Sequence, residues 1–161
     1  MIKNIAIFLA VGLALYLGVR QYLKHTVVPP FPAFEHPMTT LDEKLVNIKD
    51  SQSDYYLVSY FQTWCGDCVR ELPSIVDLSR QVPENKLSIF MISDEPIDKI
   101  SLFKVRFNAE LNFYQSATAL KELGVNVYPT TYLVDRKGRI LMSKLEGYDW
   151  ASEEVLSLIK K

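Results

Sequence analysis

Cys65 and Cys68 are the only cysteines in the 161-residue chain, and just Gly66 and Asp67 separate them. Thiols at this spacing close a small disulfide ring and reopen it, which is the chemistry of a reversible redox switch. The same spacing also serves metal-ligand pairs and haem attachment. A structural zinc site takes about four ligands, and this pair supplies two. Haem attachment needs a histidine after the second cysteine, where this chain has Val69. As a structural staple the pair would close too small a loop to stabilise much chain.

The elements around the pair give its members different roles. Tyr55 to Phe61 is rich in aromatic and aliphatic residues and predicts a buried central strand. A helix is predicted from about Cys65 to Arg80, with Val69, Leu72 and Val76 on one face and Pro73 inside it as a kink. Cys65 then lies at the exposed helix N-terminus, where unpaired N–H groups and the macrodipole stabilise a thiolate. It is the expected nucleophile. Cys68, one turn in, is expected to be more buried and to resolve the mixed disulfide. Asp67 brings a carboxylate close to the thiolate, which disfavours the charged sulfur. An acid in the first helical turn is also ordinary helix chemistry.

Further along, Leu45 to Ile48 predicts a short first strand and Leu87 to Ile92 a buried strand. Helices are predicted over Ile97 to Phe107 and over Ser116 to Leu123, the second stopped by Gly124. Thr130 to Val134 and Arg139 to Ser143 are two strands joined by the turn Asp135-Arg136-Lys137-Gly138. Asp149 caps an expected last helix from Trp150 to Lys160. Strand–helix alternation followed by a hairpin makes a mixed sheet, with helices expected on both faces.

Three regions follow: an anchor at 1–25, a proline-rich linker at 26–40 and the globular domain at 41–161. Ile5 to Val19 is uncharged and almost wholly apolar, flanked by Lys3 and by Arg20 and Lys24. Those residues cover roughly 22 Å as helix, and Ile2 to Leu23 about 33 Å, against a hydrocarbon core of about 30 Å. A single-span anchor is the favoured reading, with Tyr16 and Tyr22 near one interface. A signal peptide and a buried core helix are the alternatives. The flanking charges nearly balance, so they set no orientation. Pro29, Pro30, Pro32 and Pro37 predict a stiff extended spacer. The alternative is a loop wrapped on the domain, with Phe31 and Phe34 packed there. Net charge is −1 with no basic stripe, which argues against a nucleic-acid surface.

Trp64 before Cys65, Pro73 after Cys68, and Tyr128-Pro129-Thr130 leading into a hairpin resemble the thioredoxin fold. The stretch Phe61 to Pro73 is similar to the signature of its membrane-anchored TlpA/ResA-type branch. The resemblance covers roughly Leu41 to Lys161. It implies a three-layer α/β fold and a thiol-disulfide oxidoreductase; Asp67, set against the pull of the helix N-terminus on Cys65, predicts a reducing potential nearer about −270 mV than about −120 mV. It also implies that Trp64 covers the sulfurs, that Gly66 and Asp67 tune them, and that Pro129 is cis. Tyr128, Pro129 and Thr130 then receive an extended substrate segment. No metal or cofactor is expected beyond the Cys65–Cys68 disulfide. Partners are protein thiols and disulfides, plus a separate thiol electron donor such as a transmembrane carrier, to a monomeric, extracytoplasmic domain. Ser59 stands where thioredoxins carry a buried acid, so the resemblance supplies no carboxylate for Cys68 there. A tethered binding or assembly module with little turnover is the alternative.

Overall fold

The structure, a computed structural model, describes residues 11–19, 31, 34 and 36–159. Residues 11–19 are helical with exposed side chains. No helix among the described residues is long and apolar enough to cross a membrane. Most of the expected anchor, and Pro29, Pro30 and Pro32 of the expected spacer, lie outside the described residues.

Seven strands form one sheet: β1 (Met38–Thr40), β2 (Leu45–Val46), β3 (Tyr55–Tyr60), β4 (Leu87–Ser93), β5 (Phe113–Ser116), β6 (Thr130–Asp135) and β7 (Ile140–Leu145). Their order is β2-β1-β5-β4-β3-β6-β7. The pairs β3/β4 and β4/β5 are parallel, and all other neighbours are antiparallel. Among the described residues three α-helices pack on the sheet, α1 (Gly66–Gln81), α2 (Ile97–Arg106) and α3 (Glu153–Ile159).

The sheet's two faces are covered differently. Leu57, Ile89, Met91, Phe113 and Leu133 point into one core with Leu72, Ile75 and Leu78 of α1, Ile100 and Phe103 of α2, and Val155 and Leu156 of α3. Tyr56, Val58, Tyr60, Phe90, Ile92, Tyr132 and Val134 point the other way and meet Ile48, Leu120 and Val125. This second face carries a 3-10 turn (Ile48–Asp50) and irregular chain, but no α-helix among the described residues. The expectation of helices on both faces is corrected accordingly. The crossovers β3–α1–β4 and β4–α2–β5 step in the same direction along the sheet, so right-handed connection puts both helices on one side.

Part of the second face is closed by the proline-rich segment. Phe31 meets Tyr132 edge-on at 5.3 Å between ring centroids, and Phe34 meets Tyr56 at 5.4 Å. The segment then enters the sheet as β1, so its end is a strand where the sequence predicted a spacer. Turns stand where a helix was expected over Ser116 to Leu123. Ser116 ends β5, its hydroxyl bonds the Thr118 carbonyl at 2.6 Å, and the Leu120 N–H is taken by Asp94 at 2.8 Å. Leu120 and Val125 are thereby dropped into the core. The final helix is shorter than expected, because Asp149 holds Ala151 N–H in a turn first.

Candidate functional site

α1 begins at the C-terminal end of the central strand β3, where the chain leaves the sheet through Phe61-Gln62-Thr63-Trp64. Two acids from the β4–α2 connection hold this loop. Glu95 accepts from Thr63 N–H at 2.5 Å and from the Thr63 hydroxyl at 2.9 Å. Asp94 accepts from the Gln62 amide at 2.6 Å. The motif is therefore fixed from behind before α1 starts.

Cys65 is the N-cap of α1. Its backbone is extended, and its sulfur accepts the Cys68 N–H at 3.2 Å, one of the orphan donors of the first turn. The Cys65 thiol also donates to the Tyr128 carbonyl at 3.4 Å. Both cysteines are free thiols. Cys65, expected to be exposed at the helix end, is itself buried: it is 7% exposed against 3% for Cys68, because both sulfurs pack into the core under α1. Burial, then the hydrogen bond to the Cys65 sulfur, push the Cys68 thiol well above the ordinary range. The negative charge of Glu71 adds to this.

Glu71 is a site residue that the sequence reading passed over. It lies one turn beyond Cys68 on the inward face of α1 and is 2% exposed. Its Oε1 accepts from the Trp150 indole N–H, and its Oε2 from the Thr131 hydroxyl at 3.2 Å. The Thr131 and Ser59 hydroxyls are 2.9 Å apart. Burial raises the Glu71 carboxyl from the usual range to about 7, while these donors and the Tyr148 N–H pull it down. A carboxylate reaches the same hydroxyl pair from the helix instead of the strand. One signal was legible: positions 68, 72, 75 and 78 define a buried face, and 71 shares it.

The remaining expected residues differ in where they lie. Tyr128 is beside Cys65, and the Tyr128–Pro129 bond is cis. Trp64, expected over the sulfurs, lies beside Tyr128. It is 72% exposed, and its ring meets Tyr128 edge-on at 6.0 Å between centroids. Gly66 opens α1, and Asp67 forms an ion pair with Arg70 on the helix surface. Thr130 is not a substrate contact by its side chain: it is fully buried and donates to the Val127 carbonyl at 2.7 Å. No group of three or more candidate metal ligands occurs among the described residues.

A dithiol at a helix N-terminus, facing a carbonyl and backed by a buried acid, can be compared with known proteins. The AhpC/TSA family profile matches residues 27–143. The chain belongs to the AhpC/TSA family. It is similar to the thiol-disulfide oxidoreductase ResA of Bacillus thuringiensis, at 23% identity over 158 residues, covering 94% of this chain and 88% of the relative. It is also similar to the thiol:disulfide interchange protein DsbE of Pseudomonas aeruginosa, at 29% identity over 153 residues, covering 89% and 81%. Among solved structures it resembles a putative DsbE from Chlorobium tepidum. There the TM-score is 0.66 at 17% identity, covering 83% of this chain and 92% of that one. The thioredoxin-like fold and the thiol-disulfide oxidoreductase expected from the motif are therefore shown, and the relatives are of the ResA and DsbE type where a TlpA/ResA-type branch was expected.

Proposed function

We propose that this chain is a membrane-tethered oxidoreductase that reduces protein disulfides through a Cys65/Cys68 dithiol–disulfide cycle. The observation that carries it is the asymmetry of the two thiols. Cys65 caps the helix and faces Tyr128, while Cys68, one turn in, holds its proton strongly.

The cycle balances as follows. The Cys65 thiolate attacks one sulfur of the substrate disulfide, which breaks the S–S bond and expels the other sulfur as a thiolate. Cys68 then passes its proton to Glu71 and attacks the Cys65 sulfur. The Cys65–Cys68 disulfide forms, and the second substrate sulfur leaves. Two electrons pass to the substrate sulfurs; the proton that Cys65 releases on ionising and the Cys68 proton, given up again by Glu71, balance the two protons that the expelled thiolates take up. Tyr128 lies where an extended substrate segment can pair beside Cys65 as an added strand. Trp64, edge-on to Tyr128 and open to solvent, is positioned as an apolar contact for it.

Regeneration requires a separate thiol donor, for which a transmembrane carrier is the proposed source. The apolar N-terminal segment supports the tether, and the relatives named as disulfide interchange proteins support an extracytoplasmic domain. The alternative of a binding module without turnover rested on the missing acid at Ser59. Glu71 removes that motive.

Two variants test the reading. Cys65→Ser abolishes insulin reduction, and retained activity refutes the assignment. Cys68→Ala accumulates a mixed disulfide with the natural partner on Cys65, and the compartment of that partner reports on which side of the membrane the domain works.

A further inference from the structure

We infer that Trp150 is a positioning residue for the resolving step: its indole N–H fixes the Glu71 carboxylate and sets the pH range over which Glu71 takes the Cys68 proton. This rests on the cycle proposed above and adds a residue from the far end of the chain to it.

Trp150 is fully buried, at the entrance to the α3 turn, and its indole N–H is directed at Glu71 Oε1. Its place is secured from both sides. The Trp150 backbone N–H bonds the Ser74 hydroxyl at 3.1 Å, and Tyr148 meets its ring edge-on at 5.3 Å. Ser74 belongs to α1, three residues past Glu71, so the indole and the carboxylate are tied to one rigid frame.

The donors around Glu71 differ in a way that matters. Thr131 and Ser59 are hydroxyls, able to donate to a carboxylate or to turn and accept from a carboxylic acid. They adapt to either protonation state. An indole N–H only donates. It therefore favours the ionised carboxylate, the form able to receive a proton, and holds Oε1 so that Oε2 keeps the hydroxyl pair. Without it, the buried carboxylate keeps one other group that only donates, the Tyr148 backbone N–H, beside hydroxyls that serve the neutral acid as well.

Other titratable groups on the elements around Glu71 do not duplicate this. On α1, Cys68 is a neutral thiol before resolution, and Asp67 is paired with Arg70 outside. From β3 and β6 come only Ser59 and Thr131. On β7, Lys144 lies over the Tyr148 ring at 4.3 Å, and the Tyr148 phenol donates to Glu154 at 2.6 Å. Asp149 is engaged by Ala151 N–H.

The experiment compares full-length protein with Trp150→Phe. A second variant replaces Trp150 by 3-benzothienylalanine, which keeps the bicyclic shape and lacks the N–H. Two quantities are followed from pH 5.5 to 9. One is the single-turnover rate of mixed-disulfide resolution. The other is the protonation of Glu71 by infrared difference spectroscopy with isotope-labelled glutamate. A hydrogen bond to a charged acceptor corresponds to an upward shift of roughly one to two pH units in both midpoints when it is lost. For a one-unit shift from about 7, resolution at pH 7 slows about fivefold, with KM unchanged. An infrared midpoint that stays in place in a folded variant overturns the inference. A shifted infrared midpoint with an unshifted rate overturns the role of Glu71 as proton acceptor, while the Trp150–Glu71 coupling stands.

Discussion

Replacing Glu71 by glutamine isolates the energetic cost of keeping an acid inside this domain. Burial raises the Glu71 carboxyl from 4.5 to about 7. An acid raised in the folded state binds its proton more tightly there than in the unfolded chain. Its contribution to stability is complete below the unfolded value and is lost as pH rises through the folded value. The window therefore runs from about pH 4.5 to about pH 7. A shift of about 2.5 units at about 1.36 kcal/mol each amounts to roughly 3 kcal/mol. The reduced wild type is expected to lose stability by that order between pH 4.5 and pH 8 relative to Glu71→Gln. The glutamine carries no charge, and its carbonyl still accepts from Trp150. Urea unfolding of both reduced proteins, at half-unit pH intervals, measures the difference between them. Acids held below their usual range, such as Asp42 and Asp54, act at lower pH and cancel in that difference. A difference that is flat across the window, or that runs in favour of the wild type as pH rises, would refute the account of Glu71 as a buried, proton-binding acid.

Three further outcomes follow from the geometry. Gly138 has φ +78°, and a Cβ there would stand 2.7 Å from Phe34 Cε2. Gly138→Ala should therefore cost about 2–4 kcal/mol in urea unfolding, and Phe34→Ala in the same chain should recover only the steric part. Full stability of the single variant would show that Phe34 does not pack under the hairpin. Glu95→Ala frees both Thr63 groups and should cost about 2–3 kcal/mol and slow insulin reduction, with faster amide exchange at Thr63. Unchanged exchange there would count against the clamp. Asp67→Asn removes a charge that Arg70 already offsets, so the reduction potential should move upward by no more than about 30 mV. A wild-type potential near about −120 mV would contradict the reducing assignment.

The site was only partly legible in the residues. Cys-x-x-Cys with its flanking Trp64 and Pro73 named the chemistry, because a thiol pair at a helix start is a local arrangement. The strands β3, β4, β6 and β7 were readable for the same reason: their apolar runs and the Gly138 turn are contiguous signals. β5 was missed, and Ser116 to Leu123 was read as helix. There the Asp94 carboxylate takes the Leu120 N–H, a partner 26 residues away, which no local pattern reports. The burial of Phe31 and Phe34 was legible only as one of two alternatives. Composition does not say whether an aromatic pair finds a face to cover.

The sequence by itself determined the reacting atoms and their order, since the backbone of one helical turn puts Cys65 at the N-terminus and Cys68 inside. Tertiary structure alone decided which groups surround them. Glu71 meets Thr131 across 60 residues and Trp150 across 79. Its titration near neutral pH comes from the burial and the donors that these distant contacts supply. An isolated α1 would carry the same glutamate in water, as an ordinary acid.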